Sequence, residues 1–145
     1  MGKQTNEQPV RKTKATSSEN THSNDSALIV WPFAKIDRSG KFAFDVTRED
    51  FNVKELADKL AEFSTMKWSE LFPHNEGKSN HHLLSESSLS KEAKNRIKIM
   101  KLEQETDSIF SLRLNSKTRL IGIRDASVFQ VVWYDSNHEF APVKK

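Results

Sequence analysis

The chain has 145 residues, enough for one domain with a sizeable core and hardly enough for two. Hydrophobic residues make up 35% and cysteine is absent, which excludes disulfide frameworks and thiolate metal sites and fits a reducing, cytoplasmic setting. A net charge of +3, dispersed along the sequence, bears on solubility rather than on any one partner, and no apolar run approaches the roughly 20 residues of a spanning helix, so no membrane association is expected.

Residues 1–26 are rich in Ser, Thr, Asn, Gln and Lys and nearly lack large apolar groups. Such a stretch cannot bury enough surface to offset its ordering entropy, so it reads as a disordered tail, with residues 27–145 forming a single α+β domain. Ala27-Leu28-Ile29-Val30-Trp31 reads as a strand that stops or reaches a sheet edge at Pro32. Asp37-Arg38-Ser39-Gly40 is a turn signal, and the alternation of Phe42-Ala43-Phe44-Asp45-Val46 fits a partner strand, giving an N-terminal β-hairpin. Thr47 to Asp50 should open a helix in which Phe51, Leu56, Leu60 and Phe63 recur at helical spacing. A shorter helical segment over 66–72 stops before Pro73, and 73–80 reads as a loop. A further helix is expected from about Ser88 or Ser90 to Glu103, with Leu89, Ala93, Ile97 and Met100 on one face.

Three β-rich runs follow, over 109–114, 118–124 and 128–134, joined by Asn115-Ser116-Lys117 and Asp125-Ala126-Ser127. Pairing Leu114 with Arg119 and Arg124 with Val128 would put Phe110, Leu112, Leu114, Ile121, Ile123, Phe129, Val131 and Trp133 on one face. The other face would then be a mixed cationic surface carrying Arg113, Arg124, Gln130 and Tyr134. A one-residue slip of the first hairpin exchanges these roles for part of the sheet.

After Tyr134, Asp135-Ser136-Asn137-His138 makes a turn that displays a histidine at the end of a basic sheet. A histidine there can move protons near neutral pH. The plainer alternative is that Asp135 caps the turn and His138 is a surface residue. In the expected register Arg119 lies opposite Trp133, inviting a cation–π pair, and Arg113 and Arg124 suit bidentate phosphate binding. Trp133 and Tyr134 offer rings for base stacking. His81 and His82, which are adjacent, and Asp135 are secondary candidates. No His-Glu-x-x-His spacing, Gly-rich phosphate loop or nucleophile elbow is present, so neither a metal nor another cofactor is expected.

The segments Phe110-Ser111-Leu112-Arg113-Leu114, Arg119-Leu120-Ile121-Gly122-Ile123-Arg124 and Val131-Val132-Trp133-Tyr134-Asp135-Ser136-Asn137-His138 resemble a group of small bacterial and phage proteins that share this ending. More remotely, helices followed by an antiparallel meander with a terminal histidine are similar to the RelE/YoeB-like toxins. That resemblance implies a metal-independent endoribonuclease acting on mRNA at the ribosome, with an antitoxin protein as partner. It implies catalytic roles for Arg119, in Thr118-Arg119-Leu120-Ile121, and for His138 near the C-terminal end. Phe140, not tyrosine, stands near His138, and the partner glutamate of those toxins has no identified counterpart. The alternative is a noncatalytic module that binds nucleic acid or a protein through the same sheet end.

Overall fold

A computed structural model describes residues 25–72 and 81–143; of the proposed tail, residues 1–24 lie outside the described residues, as does the expected loop over 73–80. The architecture is α+β, built around a four-stranded antiparallel sheet in the order β1 (His82–Leu83), β2 (Ile109–Arg113), β3 (Arg119–Asp125), β4 (Val128–Asp135). The last three strands fall where β-branched and aromatic residues concentrate.

The register differs from expectation at both turns. Arg113 pairs with Arg119, and Asp125 pairs with Val128. In the first turn Leu114 N–H donates to the Thr118 carbonyl at 2.9 Å, while the Asn115 carboxamide accepts from the Lys117 and Thr118 amides, both at 2.9 Å. In the second, Ala126 adopts a left-handed φ of 57°, which permits a two-residue turn of Ala126 and Ser127. Between Ile121 and Gly122 the register shifts again: Ile121 faces Trp133 and Gly122 faces Val131, leaving Val132 as the extra residue of a bulge.

These shifts re-sort the faces. Leu112, Leu114, Leu120, Phe129, Val131 and Tyr134 pack with α1 (Val53–Phe63) and α2 (Trp68–Leu71). Ile109, Ile121, Ile123, Val132 and Trp133 pack with Ala93 and Ile97 of α3 (Lys91–Ile99). The expected cationic face is therefore covered by a second apolar layer. Burial of a large apolar side chain is worth roughly 2 kcal/mol. The five on this second face thus favour a two-sided sheet strongly over a solvated one.

The expected N-terminal hairpin is not formed. Instead the segment runs along the outer edge of β4. Phe129 N–H donates to the Val30 carbonyl (2.8 Å), Val131 N–H to Pro32 (3.1 Å) and Tyr134 N–H to Phe42 (3.0 Å), while Asp37 N–H donates to the Val132 carbonyl (2.8 Å). Pro32 cannot donate to a ladder, but its carbonyl can accept from one, which suits a covering segment better than a strand. Asp37 is 2% exposed and accepts from Arg96 Nε and Nη2 of α3 (both 2.8 Å) and from Trp133 Nε1 of β4 (2.9 Å). One carboxylate ties edge, helix and sheet together.

The first helix begins later than expected, because Asn52 rather than Thr47 caps it by accepting from Glu55 N–H at 2.9 Å. Residues 45–48 form a turn closed by Asp45, which accepts from the Thr47 amide and hydroxyl. Ser90 caps α3 by accepting from Ala93 N–H at 3.1 Å. That helix ends near Met100, short of Glu103, because Lys101 turns left-handed (φ 60°) and Leu102 N–H reaches back to the Ile97 carbonyl at 2.9 Å.

Candidate functional site

Beyond the end of the second apolar layer, the register brings two cations together. Arg113 and Arg119 are direct cross-strand neighbours, an arrangement that like charges disfavour. Arg119 is 7% exposed, and its Nη1 donates to the main-chain carbonyls of Asn115 (2.8 Å) and Thr118 (3.1 Å). Burial and then the charge of Arg113 pull its pKa down, with Asp135 opposing. An arginine nonetheless stays protonated in this range. Among the described residues no carboxylate lies within salt-bridge distance of Arg119.

Asp135 pairs with Arg119 in the ladder, but its oxygens are engaged elsewhere. Oδ1 accepts from Glu139 N–H at 2.9 Å and Oδ2 from Phe140 N–H at 2.8 Å, so it caps the turn that follows β4. Burial raises its pKa and those backbone bonds counter the rise. Phe140, fully buried, wedges the turn against Phe42 (5.0 Å between centroids) and Trp133 (4.7 Å), and Ser90 N–H donates to its carbonyl at 2.8 Å.

This support holds His138 at a φ of 57°, in the left-handed region that histidine adopts more readily than most residues. Partial burial lowers its pKa below 6.5, and the positive charge of Arg119, then of His82 and Arg113, adds to the effect against Asp135. Both effects favour the neutral ring. His82 pairs with Ser111 at the edge of the sheet, which directs it to the same face as Arg113. His82 and His138 both line a groove of about 350 Å³, with Leu84, Ser88, Ala141 and Pro142. Ser88 comes from a short 3₁₀ turn, Glu86–Ser88, that the sequence pattern did not single out.

The other expected site residues lie elsewhere. His81 turns to the opposite face, where its ring meets Phe63 (5.2 Å) and Phe72 (6.2 Å) and Nδ1 accepts from Arg113 N–H at 2.9 Å. Burial first, then Lys59 and the arginines, push its pKa down to about 4. Arg124 places its guanidinium 4.0 Å over the Trp68 ring and donates to the Ala126 carbonyl (2.9 Å) and to Asp25 (3.0 Å). Asp25, which falls within the expected tail, is thereby anchored to the domain. Tyr134 stacks on Phe51 at 3.9 Å, and its hydroxyl accepts from Asn52 N–H at 3.1 Å. Trp133 faces Ile121 rather than Arg119, so the expected stacked pair is absent. Both rings are buried and offer no face to a base.

What remains at one sheet end is Arg113, Arg119, His82 and His138, with Asp135 as the brace. The set can attract an anion and transfer protons. Among the described residues no three histidine or carboxylate side chains gather as a metal-binding set, and no helix is long and apolar enough to cross a membrane. No family model, no curated protein and no solved structure matches the chain.

Proposed function

We propose that the chain is a metal-independent endoribonuclease of the RelE-like toxin type, with RNA phosphate seated against Arg113 and Arg119 and His138 as general base. The observation that carries this reading is the cross-strand Arg113–Arg119 pair beside His138. Two adjacent cations, one largely buried and without a carboxylate partner among the described residues, lose their mutual repulsion when an anion binds between them. A neutral histidine held on a braced turn is the form that accepts a proton from a ribose 2′-hydroxyl. Charge developing on the phosphate is stabilised by the arginines in a partly desolvated site.

Expression should arrest bacterial growth, and His138→Ala or Arg113→Ala should relieve the arrest while leaving the fold intact by circular dichroism. Purified protein should cut mRNA, free or presented on ribosomes, by a route insensitive to chelators. Normal growth together with intact RNA in both settings would refute the reading.

A noncatalytic RNA-binding role is favoured by one observation: Asp135, the carboxylate that the ladder sets opposite Arg119, is consumed by backbone amides. That role predicts salt-sensitive RNA binding that survives His138→Ala without any cleavage.

A further inference from the structure

We infer that His82 is the second proton-transferring residue, the general acid that faces His138 across the groove. The inference rests on the endoribonuclease reading and assigns its missing half. Cleavage by a neighbouring 2′-hydroxyl proceeds in line, so the group that takes the proton and the group that returns one stand on opposite sides of phosphorus. His82, on the edge strand, and His138, on the turn after β4, line the same groove from separate elements. Its remaining lining consists of apolar and hydroxyl side chains, Ser87, Ser88, Leu84, Ala141, Pro142 and Val143. Among the described residues, the two histidines are thus the groove's titratable members.

Asp135 cannot supply the acid, since both its oxygens accept backbone N–H bonds that hold the turn. His81 cannot either, because it faces the opposite core. Among the described residues, the charged groups that act on His138 besides His82 are Arg113 on β2, Arg119 on β3 and Asp135 on β4, with Glu139 next in the chain and 3.5 Å from Lys41. The arginines suit a phosphate held between the rings.

In the reaction, the 2′-oxygen bonds to phosphorus as its proton passes to His138. The bond from phosphorus to the 5′-oxygen breaks, and that oxygen takes the proton of His82. The products are a 2′,3′-cyclic phosphate and a 5′-hydroxyl, with the two histidines left in exchanged protonation states that solvent restores.

The test compares two oligoribonucleotides, one with the natural 5′-oxygen leaving group and one with sulfur in its place, which departs without protonation. His82→Ala should slow cleavage of the oxygen substrate by about 10²- to 10⁴-fold, the range for one acid–base group. It should also abolish the alkaline limb of the kcat/KM–pH profile, yet leave the sulfur substrate near the wild-type rate. His138→Ala should be slow on both. His82 is exposed, so its replacement leaves the core untouched, and His82→Gln gives a second variant that keeps the polar surface. Cleavage by His82→Ala at the wild-type rate, or an equal loss on both substrates, would overturn the assignment to His82 alone. Absence of cleavage by the unaltered chain would overturn the endoribonuclease reading and the assignment with it.

Discussion

His81 and His82 are adjacent in sequence and opposite in consequence. Strand alternation sends one into a layer of phenylalanines and the other to the groove, so a dipeptide that suggested clustering splits between core and surface. His81 links pH to stability. Its folded pKa of about 4 lies below the ordinary 6.5, so between those values the unfolded chain holds more protons and stability rises with pH. The contribution is full above about pH 6.5 and is lost as pH falls towards 4. It amounts to roughly 2 kcal/mol once solvent screening of the ring's exposed edge is allowed for. Urea midpoints should therefore fall over that interval more steeply for the wild type than for His81→Asn. Equal slopes would show that this ring does not contribute.

At the scale of elements, composition and periodicity locate the meander, the two principal helices and the short one, because each is a local pattern. The register is not local. Whether Arg119 meets Leu114 or Arg113 depends on the Asn115 carboxamide closing the turn, and on a bulge that sets Val132 and Trp133 on one face. The consequences for the site are uneven. Arg119, Arg113, His82 and His138 are legible as residue types and come together. Arg124, Trp133 and Tyr134 lie in surroundings other than those expected, because the register differs, and the covering role of residues 30–42 leaves no sequence period to detect. Gly122 is where the bulge is enforced. A Cβ there would overlap the Gln130 carbonyl oxygen and the Phe129 ring. Gly122→Ala should cost about 3 kcal/mol, at the upper end for overpacking, measured as a lowered denaturant midpoint. A change under about 0.5 kcal/mol, the range of inconsequential surface substitutions, would mean that β4 can slide to relieve it.

At the scale of the molecule, the covering segment, α3 and the sheet meet at Asp37. Removing its charge leaves Arg96, whose side chain is 15% exposed, without its partner, and weakens the hold on Trp133 Nε1. Asp37→Asn should destabilise the fold by about 3 kcal/mol, within the range for breaking a largely buried pair. Asp37→Asn combined with Arg96→Met should cost less than the sum of the two single changes, as a urea double-mutant cycle would read. Strict additivity would separate the two residues energetically. The order in which the layers are synthesised has its own consequence. Both helical layers precede most of the sheet that they cover, since α1, α2 and α3 all emerge before β2, β3 and β4. At roughly 5–20 residues per second, their apolar stripes wait for several seconds before the sheet that covers them exists. Each stripe therefore stays uncovered during synthesis until the strand it packs against has emerged, and Phe140, the wedge between Phe42 and Trp133, comes last of all.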